Sequence, residues 1–126
     1  MSNRRRPSAV PLYHAMYLHS RAWYARRARW FDHAATLGPL TCAGCGRNAP
    51  RTELELHHLD YRGMSSTGGI MRAFERHEDL LPLHPYCHDL LHRLIDRDRL
   101  LSRNRTRRDA TLIALSRLRP KLQESA

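Results

Sequence analysis

The sequence predicts a small α+β domain, and three stretches predict it. "TELELHH" (52–58) alternates apolar and charged residues over the length of a short strand. "DLLPL" (79–83) is a second short apolar segment able to pair with the first. From Pro85 to roughly Arg97 the chain has no glycine and carries Leu90, Leu91 and Leu94, the pattern of a helix. Pro85 suits its first position, where the missing N–H would have had no partner.

The 126 residues predict one domain over 10–120, with a core at 40–97 and a tail at 121–126. Flanking helices are expected at about 20–35 and 106–119. Ser20 caps the first, in which Trp23, Arg27 and Trp30 share a face; the tryptophans read as core anchors rather than base-stacking groups. Thr106 and Asp109 have capping-box spacing at the start of the second, and Pro120 is expected to stop it. Its stripe of Ala110, Ile113, Ala114 and Leu118 suits core packing, or else a dimer face. Residues 61–78 hold Gly63, Ser65, Ser66, Gly68 and Gly69, and read as a loop facing a substrate.

Hydrophobic residues make up 41 % of the chain and the mean hydropathy is −0.65, so the core is modest and of the kind a metal often reinforces. Twenty-two Lys+Arg stand against 12 Asp+Glu, a net charge of +10 that implies a polyanionic partner, most simply nucleic acid. Every cation except Lys121 is arginine, which makes the bidentate phosphate contacts that lysine cannot. Residues 1–9 are arginine-rich and read as a disordered or phosphate-binding basic arm. The three cysteines include a Cys-x-x-Cys pair, which argues for a metal site in a reducing compartment rather than a disulfide framework. No apolar run approaches the ~20 residues of a membrane span, and "MSNRRRPSAV" lacks the apolar stretch of a signal peptide. A soluble, cytoplasmic protein with no membrane partner is the expectation.

Two constellations carry chemistry. Cys42-x-x-Cys45 with His84-x-x-Cys87 supplies four ligands in two knuckles, the set for a closed tetrahedral structural Zn²⁺. His33 and His77 are the substitutes for His84 if it points away. The second set is His57 and His58 with His88 and His92. On a helix His88 and His92, four residues apart, share a face. Adjacent strand residues point to opposite sides, so His57 can join that pair around a divalent ion while His58 is left for another task. The alternative is that these histidines only satisfy hydrogen bonds or extend the zinc site.

"LELHHLDY" followed by "DLLPLHPYCHDLLH", with a CxxC upstream, resembles the HNH endonucleases that bear zinc knuckles. "YLHSRAWYARR" is similar to the lead-in helix of many such domains, and the resemblance covers about residues 17–95. It implies a ββα-metal core: two short strands and a helix around one divalent ion. It also implies His58 as general base, His57, His88 and His92 as ligands of the catalytic metal, and Cys42, Cys45 and Cys87 in the zinc knuckles. His84 stands where the family usually has cysteine, and can still ligate zinc. Asp79 stands at the usual position of the middle Asn. It can fix a loop by accepting backbone N–H bonds or add charge near the metal, but cannot donate as Asn does.

The activity so implied is metal-dependent hydrolysis of phosphodiester bonds in double-stranded DNA, leaving a 5′-phosphate and a 3′-hydroxyl. His58, oriented by a backbone carbonyl or a carboxylate, would take the proton of the attacking water. A histidine set suits Zn²⁺, Ni²⁺, Co²⁺ or Mn²⁺ better than Mg²⁺. Arg62, Arg72, Arg76 and Arg93 flank these residues in sequence and are candidates for gripping the nucleic acid. No specificity module is visible, so target choice would fall to the arms, a homodimer or a partner. Such domains serve phage packaging, restriction-type defence, mobile elements and toxins, which points to a bacterial or phage protein. The competing expectation is a catalytically weakened zinc module that binds DNA, with Asp79 marking the loss. A third, resting on charge alone, is a zinc-bound adaptor for acidic protein.

Overall fold

The structure, a computed structural model, describes residues 12–124; the basic arm expected over 1–9 lies outside the described residues. A short helix α1 (Leu12–Tyr17) leads to Ser20, whose hydroxyl accepts from Trp23 N–H at 3.2 Å and starts α2 (Arg21–Leu37). Trp23, Trp30 and Phe31 are the buried residues of α2, and the Trp30 indole donates to the carbonyl of His77 at 3.0 Å. Both tryptophans therefore anchor the core.

Strands β1 (Glu55–His58) and, after an intervening hairpin, β4 (Leu80–Leu83) pair antiparallel, with His57 opposite Leu81 and His58 opposite Leu80. The pairing follows the expectation, but β1 is shorter than "TELELHH". Arg51–Glu53 form a 3₁₀ turn instead, and the Arg27 guanidinium donates to the Leu54 carbonyl at 2.6 Å, taking an acceptor that a longer ladder would need.

The expected loop over 61–78 is mostly a hairpin. Strands β2 (Met64–Thr67) and β3 (Ile70–Ala73) pair antiparallel around Gly68 and Gly69. Those glycines have φ of 58° and 80°, the left-handed pair of a two-residue mirror turn whose twist fits a hairpin. The hairpin's base is tight. The Gly63 carbonyl accepts from Phe74 N–H at 2.8 Å, and a Cβ on Gly63 would lie 2.4 Å from the backbone of Glu75. A 3₁₀ turn at His77–Asp79 then leads into β4.

Helix α3 (Pro85–Arg97) begins at Pro85 and ends at Arg97, as expected. Asp98 caps the short α4 (Arg99–Arg103) by accepting from the N–H groups of Leu100 and Leu101. The final helix α5 (Arg107–Glu124) is capped by Thr106, whose hydroxyl accepts from Asp109 N–H at 3.1 Å. It does not stop at Pro120, and the expected tail at 121–126 is helical to Glu124. A mid-helix proline removes one N–H bond, but tertiary contacts hold the turn beyond it. Arg119 donates to the carbonyl of Ala43, Gln123 donates to that of Gly44, and Leu122 packs against the core.

Tyr17, Phe31, Leu54, Leu80, Leu83, Leu91 and Leu115 are fully buried where α2, the β1–β4 pair, α3 and α5 meet. The result is a mixed α+β domain with two small antiparallel sheets among its described residues. No helix among them is long and apolar enough to cross a membrane.

The close approach at Gly63 yields a direct prediction. Gly63→Ala forces Phe74 and Glu75 away from the loop before β2 and should cost about 2 kcal/mol of stability, as overpacking does. Urea denaturation measures this; a midpoint equal to wild type would show that the hairpin base is not constrained as described.

Candidate functional site

Cys42 and Cys45 lie in a knuckle before β1, closed by Cys42 N–H to the Arg47 carbonyl at 3.0 Å and Gly46 N–H to the Cys42 carbonyl at 2.9 Å. Ala43 N–H donates to the Pro82 carbonyl at 2.7 Å, pinning the knuckle to the edge of β4. The end of β4 delivers His84 as the N-cap of α3, and Cys87 sits in that helix's first turn. The sulfurs of Cys42, Cys45 and Cys87 and an imidazole nitrogen of His84 all fall within 4.8 Å of one another. The Cys3His set expected from the two knuckles is therefore assembled. His33 and His77 pack against each other, with His77 stacked on Trp30, and take no part.

These donors fit a structural metal ion such as zinc. Burial pushes the Cys42 thiol up, but N–H groups of His84, Cys45 and Gly44 outweigh it and bring the thiol to about 7. Those of Gly44 and His84 lie 3.3 Å from its sulfur. Burial and the neighbouring Cys42 and Cys45 sulfurs push Cys87 up to about 12. Three converging thiols cannot all ionise beside one another without a cation, which makes the set a poor arrangement for anything except a metal.

The second set lies on the other side of β1's ladder from the hairpin. His57 on β1 and His88 and His92 on successive turns of α3 bring one imidazole nitrogen each within 4.8 Å of the others. His57 Nδ1 is 3.3 Å from His88 Nε2, which is 3.1 Å from His92 Nε2. The outer nitrogens of His88 and His57 each face an oxygen. Glu55 Oε1 lies 2.9 Å from His88 Nδ1, and Thr111 Oγ1 of α5 lies 2.9 Å from His57 Nε2. With protons on those outer nitrogens, the inner nitrogens keep lone pairs free for a shared ion, and the hydrogen bonds hold the rings in place as they do for metal-binding histidines. Burial holds His57 well below the usual imidazole range, aided by the Arg107 guanidinium and the neighbouring imidazoles, so the ring is neutral as a ligand must be. His88 and His92 line an open cleft of about 360 Å³ with Glu55, Pro85 and Asp89, and His57 lies beneath.

His58 is not brought to that trio. It is 2 % exposed and its ring is sandwiched between Tyr61, stacked at 4.2 Å, and Trp23 at 4.7 Å. Its Nε2 is 2.7 Å from Glu75 Oε2, which also accepts from the Tyr17 hydroxyl at 2.5 Å. Burial raises the Glu75 carboxyl, but the bonds from His58 and Tyr17 outweigh it and leave the group ionised below its ordinary range. Arg107 donates to the His58 carbonyl at 2.6 Å.

Asp79 is fully buried and does not fix its loop through backbone N–H groups as expected; its carboxylate partners are arginines. Arg108 holds Oδ1, while Arg62 and Arg76 approach Oδ2 at 3.5 and 3.6 Å. Nor does it add charge to the histidine cleft, since it lines a different one with Arg62 and Arg76. Of the other arginines expected at the site, Arg72 is exposed on β3, and Arg93 pairs with Asp89 along α3 at 2.7 Å. Arg62 and Arg76 share Asp79, whereas Arg93 lies on α3.

Three contributors escaped the sequence. Glu75 is one of three acids in "FERHED", and nothing local distinguishes it from Glu78 or Asp79. Thr111 stands inside an apolar stripe of α5, and Tyr61 lies in what reads as loop. A scan of known proteins finds no matching family model, no matching curated protein and no matching solved structure.

Cys87→Ser removes one of the four donors of the Cys3His set. The variant should lose its bound zinc and unfold at a markedly lower temperature than wild type, because structural zinc contributes directly to folding. Elemental analysis with thermal melting tests this; a zinc-free variant that melts like wild type would refute the structural role.

Proposed function

We propose that the protein is a metal-dependent endonuclease that hydrolyses phosphodiester bonds of double-stranded DNA. The observation that carries this reading is the convergence of His57, His88 and His92 on one point. It is reached from solvent through a cleft and is separate from the Cys3His set. Three imidazoles leave coordination positions open, as catalytic sites do and closed structural sites do not. A divalent ion held there would supply charge neutralisation at the phosphoryl oxygens and at the leaving 3′-oxygen. Mn²⁺, Ni²⁺, Co²⁺ and Zn²⁺ suit this donor set better than Mg²⁺.

The chain's own groups have distinct tasks in this reading. Glu55 and Thr111 hold the rings of His88 and His57 in the ligating orientation. His58 serves as general base. With Nε2–H donated to the ionised Glu75, its Nδ1 is the nitrogen that takes up the water's proton, and Glu75 stabilises the resulting imidazolium. Tyr17 fixes Glu75 through the same oxygen. The arginine-rich surface binds the flanking backbone independently of sequence, and this binding weakens steeply with salt.

The burial of His58 and its position across the strand from the trio favour a second reading, a DNA-binding zinc module whose chemistry is weakened. One assay separates the two. Supercoiled plasmid is incubated with protein that retains its cysteine-bound zinc, and Mn²⁺, Ni²⁺, Co²⁺, Zn²⁺ or Mg²⁺ is added in turn. The nuclease reading expects nicked or linear product that disappears in His88→Ala and falls about 10²–10⁴-fold in His58→Ala. Salt-sensitive DNA binding with no cleavage under any metal supports the weakened module. Undiminished cleavage by a folded His58→Ala protein removes His58 from the role of base.

A further inference from the structure

We propose that the cleft beside Asp79 is a subsite for one backbone phosphate of a nucleic acid, gripped by Arg62 and Arg76, with Asp79 as the residue that positions them. The inference rests on the nucleic-acid part of the proposed function but not on catalysis. The cleft holds about 510 Å³ and is lined by Arg62, Gly63, Ser65, Phe74, Arg76 and Asp79; none of these lines the cleft at the histidine trio.

Its floor is unusual. Asp79 is fully buried, yet its Oδ2 has no hydrogen-bond partner, while three guanidiniums surround the carboxylate. A buried charge without compensation is unfavourable, so the arginines are held here by an electrostatic demand from below. Arg108 meets that demand directly at Oδ1. Arg62 and Arg76 come only to 3.5 and 3.6 Å from Oδ2, with their side chains more than half exposed. Each turns its Nε toward the same buried carboxylate, and both side chains line the cleft. Two guanidiniums tethered side by side in this way match the oxygens of a phosphate, which takes bidentate contacts from arginine. Asp60 and Glu78 stand 3.6 and 3.7 Å from the same two arginines, as exposed pairs of the weak kind that a phosphate displaces.

The surroundings fit a polymer better than a free anion. Ser65 and Phe74 belong to the outward face of the β2–β3 hairpin, which continues through Arg72, the cross-strand partner of Ser65. Phe74 is 69 % exposed at the rim, where a large apolar ring has no packing role to explain it. From Tyr61 to Phe74 the chain has no acidic residue. The hairpin therefore extends an acid-free surface outward from the clamp, and a two-stranded ribbon has the width to follow a groove of the duplex.

The clamp makes an unusual prediction for Asp79→Asn. Removing a negative charge from a basic protein should, by simple attraction, tighten its hold on a polyanion. Loss of the positioning carboxylate should instead weaken it. Binding of a labelled 20-base-pair duplex, read by anisotropy across a salt series with no divalent metal added, distinguishes these. We expect Asp79→Asn to weaken binding about fivefold or more, and tighter or unchanged binding overturns the proposal. Because Asp79 is buried, a second variant guards against misfolding. Arg62→Lys with Arg76→Lys keeps the charge on exposed side chains and should weaken binding similarly, whereas Arg62→Gln with Arg76→Gln should also lower the salt slope by about 1 to 2. Wild-type affinity in the double-lysine variant overturns the clamp. Inorganic pyrophosphate serves as the small-anion probe: if these substitutions abolish its binding and leave duplex affinity intact, the backbone assignment is wrong. Since no cleavage is read, failure of the nuclease assay leaves this test standing.

Discussion

The Cys3His set is the constraint on which the rest of the architecture depends. It ties a knuckle before β1 to the N-terminus of α3, two segments about forty residues apart in a chain whose core is modest. Fixing His84 and Cys87 fixes the start of α3, and that start sets the phase of the helix. His88 and His92 follow on the next turns, so their meeting with His57 on the adjacent strand is a geometric consequence of the cysteine site. The knuckle also receives the last turn of α5 through Arg119 and Gln123. α5 in turn supplies Thr111 to His57, Arg107 to the His58 carbonyl and Arg108 to Asp79.

Strand alternation then divides the labour of His57 and His58. One faces α3 and α5 and joins two more imidazoles; the other faces α2 and the hairpin and meets Glu75, Tyr17, Trp23 and Tyr61. Two neighbouring residues of the same type thus acquire different chemistry from the sides of a single strand. Glu75 reaches His58 because Gly63 lets the hairpin's closing strand pass within backbone contact.

How much of this was legible in the sequence follows from how local each signal is. The starts of α2 and α3, the β1–β4 pair and both ligand clusters were readable, because Ser20, Pro85, the strand alternation and the i, i+4 histidines act within a few residues. The hairpin was not, since its exposed Ser65, Ser66 and Thr67 hide any alternation. Gly68-Gly69 is its one clear signal, and by itself that pair suits a loop as well as a hairpin turn. The run of α5 past Pro120 depends on Ala43 and Gly44, nearly eighty residues away, and no local rule reports that. Nor could the sequence show that Asp79 gathers arginines from β2's lead-in, the 3₁₀ turn and α5, or that Glu75 rather than Glu78 meets His58.

The strand–helix unit of β1, β4 and α3 brings together two groups whose donors could each hold a metal ion, one closed and cysteine-rich, the other made of three imidazoles beside an open cleft. Metal titration followed by native mass spectrometry, with wild type and His88→Ala side by side, tests whether both do so. Two ions per wild-type chain are expected, one retained through mild chelation and the other exchangeable, with only the exchangeable ion lost in His88→Ala. A wild-type protein that never takes up more than one ion, or a variant that still binds two, would rule out the pair of sites.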